Sequence, residues 1–223
     1  VPHLSKLKVI LVDEAQDLSR VQAKFVFTLK QKLKIPVVLV GDPNQTIFQF
    51  QGSDDSVLME YADKVKTIRL VKNYRSTPEI IDFANQFRPW SHTVVMQSEK
   101  VRSLLKPFIF VGTEKEIMTD MINNILFNRN KNLCTAIIGP VKKSVFYNFQ
   151  YQASLGLQDA VNALNEYDVP FVKHYSDANT YNTSKSGLVR NKINIYTGHA
   201  SKGTEFDSVY VLNFNIRSEE HTS

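Results

Sequence analysis

Short apolar runs alternate with stretches of helical spacing along most of this chain. VILV at 9–12 runs into the acids of VDEAQD, the following VQAKFVFTLKQKL has apolar residues at helical intervals, and VVLV at 37–40 runs into GDPNQ. Apolar runs of this length bounded by turn residues predict buried strands, and a 3.6-residue period predicts helix. The alternation resumes with TIRLVKNYRS and STPEIIDFANQF, where Thr77 is placed to cap a helix that holds Pro78 in its first turn. PFIFVG, EKEIMTDMINNILFN, CTAIIGP, LQDAVNALNEY, PFVKHY and INIYTGHASKG carry it onward. All-apolar strands separated by helices predict an α/β fold with a parallel sheet covered on both faces, whose ligands gather beyond the carboxyl ends of the strands. Residues 176–191, SDANTYNTSKSGLVRN, are polar, lack apolar periodicity and predict a surface loop.

Composition narrows this picture only a little. With 223 residues and 43% hydrophobic content, the chain can build one sizeable core or two modest ones. A net charge of +5 suits a nucleic-acid partner but is common among proteins that bind none. A single cysteine, Cys134, excludes an internal disulfide framework and a cysteine-rich zinc site, and points to a reducing compartment. His3, His92 and His174 have no companions at metal-ligand spacing and read as structural. The apolar runs are too short to cross a bilayer and no charged segment precedes an apolar one at the start, so no membrane partner is expected. The expected location is intracellular: cytoplasmic, or nuclear in a eukaryote. The last seven residues, RSEEHTS at 217–223, resemble a translated sequencing adapter and are expected to be non-native.

The chemistry concentrates at strand ends. In ILVDEAQD, two adjacent acids close an apolar strand, a placement in which Asp13 can hold Mg²⁺ and Glu14 can orient and deprotonate a water for phosphoryl transfer. The same acids would also suit the positive end of a helix. The second loop, VGDPNQTIFQFQGSD, would lie beside the first in a parallel sheet. Its Gln45 has an amide able to reach a γ-phosphate, and Phe48 and Phe50, flanked by polar residues, offer faces for stacked bases or else belong to a core. KNYRST sets an aromatic beside an arginine: Tyr74 supplies a flat face for adenine and Arg75 a fork of donors for a γ-phosphate. In NIYTGHASKGTEF, Thr197, His199, Ser201 and Lys202 occupy a small-residue turn that brings amides and cations near phosphates.

Taken in order, these four clusters resemble the UvrD/Rep-like DNA helicases of superfamily 1, whose motifs read approximately DExQD, VGDxxQSIYxFRGA, NYRS and THxAKGLEF. The resemblance covers nearly the whole chain. It implies a P-loop NTPase helicase fold of two RecA-like parallel-sheet layers, the first incomplete. Residues 1–68 would be the C-terminal part of the first, ATPase domain, and 69–216 the second, with the accessory insertion reduced to the loop near 176–191. By resemblance, Asp13 and Glu14 form the Walker B pair, Gln45 senses the γ-phosphate and Tyr74 stacks on adenine. Arg75 is an arginine finger from the second domain and Glu205 contacts the ribose. Phe50 and His199, together with Phe48, Thr197 and Lys202, face the nucleic acid. The implied function is ATP- and Mg²⁺-dependent 3′ to 5′ translocation on single-stranded DNA, or on a duplex with a single-stranded tail, in repair, recombination or replication.

Two departures stand out. Phe48 and Gln51 replace the family's usual Tyr and Arg, and Thr204 replaces a hydrophobic residue before the motif V Glu. An alternative reading is a hydrolysis-deficient, DNA-binding scaffold of a larger nuclease or repair complex, although the acids and the arginine that such a module would lose first are all present. An RNA helicase is disfavoured because no Pro-rich continuation follows GDPNQ. No G-x-x-x-x-G-K-[ST] occurs in the chain, so the phosphate-cradling loop is expected upstream and the family's final arginine motif downstream. The purified 223-residue chain alone is accordingly predicted neither to hydrolyse ATP nor to unwind a duplex; DNA-stimulated ATP turnover by it would overturn that expectation.

Overall fold

A computed structural model describes residues 6–46, 58, 60–61, 65–87, 95–128, 131–139, 145–146, 153–175 and 188–213. Two compact units are present, Val1–Ile109 and Phe110–Ser223. In the first, strand β1 (Ile10–Val12) leads through a single-turn 3₁₀ segment (Ala15–Asp17) into helix α1 (Arg20–Leu33), and the chain returns as β2 (Val37–Leu39). The two strands pair parallel, with Ile10 opposite Val37 and Val12 opposite Leu39. Helix α1 starts where it does because Ser19 and Gln22 form a reciprocal capping box. The Ser19 hydroxyl accepts the Gln22 N–H and the Gln22 side chain accepts the Ser19 N–H.

The expectation that these strands are covered on both faces does not hold in the described structure. Strand alternation sends Leu11 and its register partner Val38 to one face, and they are 71% and 46% exposed. Among the described residues, helix α1 presents only Ala23 as fully buried, leaving Val21 and Phe25 exposed as well. An apolar strand of this kind needs a layer on each side to be buried, and no described element covers Leu11 and Val38.

The rest of the first unit carries β3 (Lys72–Asn73), helix α2 (Pro78–Asn85) and β4 (Gln97–Ser98), with β3 and β4 parallel. Thr77 is the N-cap residue and Pro78 opens the helix, as the sequence predicts, but the Thr77 side chain makes no capping hydrogen bond. What ties this helix to its surroundings is Glu79, buried at 8% exposure. Its carboxylate accepts the Ser103 N–H at 3.0 Å and faces the Arg102 guanidinium at 3.5 Å.

Among the described residues, most of the buried apolar side chains lie in the second unit. Helix α3 (Glu114–Asn128), β5 (Thr135–Gly139), the short antiparallel pair β6 (Val145–Phe146) and β7 (Ala153–Ser154), helix α4 (Leu157–Glu166), β8 (Phe171–Lys173), β9 (Ile193–Thr197) and β10 (Ser208–Val211) follow in sequence. Four strands form one all-parallel sheet in the order β10-β5-β9-β8. Ile122, Ile125, Leu157, Val161 and Leu164 of the two helices pack with Ile137, Ile193 and Ile195 of the sheet into one core. Full burial of each such side chain contributes roughly 1.5–3 kcal/mol.

A polar residue sits in the middle of this apolar strand. Asn194 is fully buried and well partnered: the two hydrogens of its amide nitrogen are shared among the carbonyls of Val189 (2.9 Å), Lys192 (3.2 Å) and Thr135 (3.3 Å). Its oxygen accepts the Val189 N–H and pairs with His174 Nε2 at 2.9 Å. A buried amide without such partners would be costly; with them, Asn194 stitches residue 189 to the sheet. Cys134 is buried beside the same strand, where burial first, and then the nearby Asp207 carboxylate, push its thiol pKa up.

The Glu79 carboxyl is held below the usual glutamate range, first by the hydrogen bond from the Ser103 amide, with Arg102 adding a smaller share. A depressed folded-state pKa contributes stability that is complete above the unfolded glutamate pKa and is lost as pH falls through the lowered value. Thermal melting between pH 7 and 3 is predicted to show this acid-side loss in the wild type and a weaker one in Glu79→Gln; identical pH profiles would refute the assignment.

Candidate functional site

At the carboxyl end of β1 the chain turns sharply. Glu14 sits in the left-handed region at φ 50° and ψ 43°, a conformation uncommon for a residue with a side chain. Three bonds hold it there. The Glu14 N–H donates to Asp13 Oδ1 at 2.9 Å, the Asp17 N–H donates back to the Glu14 carbonyl at 2.9 Å, and the Ala15 N–H donates to the Val40 carbonyl at 2.8 Å. The last of these continues the β1–β2 ladder one step past the strands, after Val40 N–H to Val12 carbonyl. Asp13 and Glu14 are both exposed.

The loop after β2 is organised by Asp42. Its carboxylate accepts the Asn44 N–H at 3.0 Å and the Gln45 side-chain amide at 3.1 Å, which fixes the 3₁₀ turn Pro43–Gln45 and the direction in which Gln45 leaves it. The two loops are then joined by Gln16, which is fully buried. Its Nε2 donates to Glu14 Oε2 at 2.5 Å and its Oε1 accepts the Asp42 N–H at 3.1 Å. Gly41 permits this approach: a Cβ there would lie 2.4 Å from Gln16 Oε1 and 3.1 Å from the Ala15 nitrogen. The structure therefore brings together Asp13, Glu14 and the loop bearing Gln45, as the motif spacing predicts. Gln16 and Gly41 were not singled out from sequence. The available signal was an amide set between acids in DEAQD with a glycine at the end of the neighbouring apolar run.

The remaining sequence-predicted residues occupy two further strand ends. After β3, Asn73 Oδ1 accepts the N–H groups of both Arg75 (3.0 Å) and Ser76 (2.8 Å), and the Ser98 hydroxyl donates to the Ser76 carbonyl at 2.7 Å. This Asx turn presents Tyr74 at 68% exposure and Arg75 exposed beside it. Both belong to the unit that holds Asp13 and Glu14. In the second unit, β9 ends at Thr197, whose hydroxyl accepts the Ala200 N–H and whose carbonyl accepts the Ser201 N–H. Gly203, at φ 80°, closes this turn. His199 and Glu205 are exposed and Lys202 half-buried along it. His174 and Tyr196 stack beneath at 4.2 Å, and Phe206 lies 5.4 Å from the Tyr196 ring. Phe48 and Phe50 lie outside the described residues.

Residues 3–66 match the UvrD/REP helicase N-terminal domain. A putative ATP-dependent DNA helicase of Acanthamoeba polyphaga mimivirus is 30% identical over 224 residues, covering 96% of this chain and 30% of that protein. A mitochondrial ATP-dependent DNA helicase of Saccharomyces cerevisiae is 27% identical over 66% of the chain and 25% of its own length. The ATP-dependent DNA helicase PcrA of Staphylococcus epidermidis is 36% identical over 38% of the chain and 12% of its own length. The chain thus spans less than a third of these curated relatives.

The crowding at Gly41 gives a direct test of the loop junction. Gly41→Ala must displace either the buried Gln16 amide or the backbone at Ala15, and overpacking of this kind costs about 1–3 kcal/mol. Urea denaturation is predicted to show a loss in that range, and an unchanged midpoint would show that the two loops are not packed as described.

Proposed function

We propose that this chain, a relative of the UvrD/Rep-like helicases of superfamily 1, carries part of the ATP-hydrolysing motor of a DNA helicase. The observation that supports this most is the joining of the two loops at the carboxyl end of one parallel strand pair, which sets two acids beside the Gln45 turn. In parallel α/β sheets this is where ligands bind. Phosphoryl transfer asks the protein for positioning and for compensation of charge more than for covalent chemistry, and this donor set suits that task.

Magnesium, when bound, neutralises charge on the phosphates, and Asp13 offers the hard carboxylate oxygen that this ion takes. Glu14, the neighbouring carboxylate, orients the attacking water and takes its proton. Gln45, aimed by Asp42, reaches for the γ-phosphate, so its contacts differ before and after hydrolysis. Tyr74 lends its exposed ring to adenine, and Arg75 brings a guanidinium to the developing charge. Glu205 contacts the ribose.

In this reading residues 1–68 complete the first RecA-like domain and 69–216 form the second. Phe48, Phe50, Thr197, His199 and Lys202 contact single-stranded DNA through stacking and phosphate bonds, with little sequence preference. Cycles of ATP binding and hydrolysis open and close the domains and move the protein 3′ to 5′ along the strand. Partner and location follow from the substrate: single-stranded DNA or a tailed duplex, inside the cell. Among the described residues no helix is long and apolar enough to cross a membrane.

The test uses the full-length protein encoded by the gene of this chain. ATP turnover is predicted to rise with single-stranded DNA, and Glu14→Gln is predicted to lower it about 10²–10⁴-fold. Binding of DNA without turnover would support a scaffold instead, and full activity in Glu14→Gln would remove that residue from the base role.

A further inference from the structure

We infer that Gln16 is the positioning residue of this site: its single buried amide orients the Glu14 carboxylate and locks it to the loop that carries Gln45. The inference rests on the proposed role of Glu14 and deepens it.

A glutamine in a strand-end loop is ordinarily solvated. Gln16 is instead completely buried, although it lies two residues from an exposed Glu14. Both ends of its amide are committed, and to different loops. The donor end meets Glu14 Oε2 at 2.5 Å and the acceptor end meets the Asp42 N–H at 3.1 Å. Asp42 in turn holds the Gln45 side-chain amide at 3.1 Å and accepts the Gln45 N–H at its carbonyl at 2.9 Å. A continuous path of hydrogen bonds therefore runs from Glu14 through Gln16 and Asp42 to Gln45.

The chemistry of the position explains why this residue is Gln. A donor is needed toward a carboxylate and an acceptor toward an amide, at the reach of a three-carbon side chain. Glutamate retains the acceptor but sets a second carboxylate against Glu14. Asparagine is one methylene short, and methionine fills the space with neither group. The Glu14 backbone is held in the left-handed region, which sets where the side chain starts, and the Gln16 bond at 2.5 Å restrains the carboxylate at its far end. The absence of a side chain at Gly41, in contact distance of Gln16 Oε1, is the matching condition on the opposite loop.

Gln16→Met and Gln16→Glu in the full-length protein test the inference. DNA-stimulated ATPase kcat is expected to fall about ten- to a hundredfold in both, as misplacement of a catalytic group does, while the KM for ATP and the Kd of a non-hydrolysable analogue stay within about twofold of wild type. In a Glu14→Gln background, Gln16→Met is expected to cause a clearly smaller loss, because the part that acts through the carboxylate is already removed and only the part through the Gln45 loop remains. Equal losses in both backgrounds, or an unchanged kcat, would overturn the inference while leaving Glu14 as the base. If Glu14→Gln itself keeps full turnover, the reading of Glu14 fails instead, and the loop coupling is then judged without activity. Hydrogen exchange at the Asp42 and Gln45 amides is expected to quicken at least about tenfold in Gln16→Met, and unchanged exchange there would sink the coupling as well.

Discussion

Parallel pairing of neighbouring strands is the constraint on which the candidate site depends. Two strands running the same way must be joined by a crossover, here helix α1, and their carboxyl ends then emerge side by side. Residues that lie far apart in sequence are delivered to one edge without any long side chain having to reach for them. The β1–β2 register does this for the DEAQD and GDPNQ loops, and the ladder continues one bond beyond the strands through Ala15 and Val40. The two acids and the Gln45 turn are arranged around that extension.

Each unit then uses a buried side-chain amide to secure what pairing alone leaves loose. Gln16 in the first and Asn194 in the second are both fully buried, and both use donor and acceptor together: Gln16 joins its own loop to the Asp42 loop, and Asn194 joins its strand to residues 174 and 189. An amide suits this role because it carries no charge to desolvate, yet offers both hydrogen-bonding senses at once. The difference lies in what is secured. Asn194 binds backbone carbonyls and the approach of residue 189, and so supports the sheet; Gln16 binds a carboxylate and a loop amide at the site itself.

Much of this was legible in the sequence. The apolar runs at 9–12 and 37–40 mark the strands, the spacing of VQAKFVFTLKQKL marks α1, and the acids at the run ends mark the loops, because each signal is local. Gln16 stands inside the DExQD pattern, but its burial depends on Gly41 arriving from the other strand, and no local pattern records that. The exposure of Leu11 and Val38 is not written in their own run for a related reason: an apolar run states that a face is suited to burial, whereas coverage depends on other elements. Residue type marks Thr77 as a cap and its backbone occupies that position, but the choice of hydrogen-bond partner is made in three dimensions.

The separation in sequence of the contacts that close each unit bears on how the chain comes to be folded. The Gln16–Asp42 bond closes 26 residues, whereas the Cys134–Asp207 bond, which sets β5 against the approach to β10, closes 73. Loop-closure entropy rises with the logarithm of that length and makes the second closure costlier by about 1 kcal/mol. On a chain synthesised from its amino end, the short closure is also the first whose two partners both exist. Kinetic accessibility thus favours the loop junction of the first unit, while the larger core of the second must wait for its last strand.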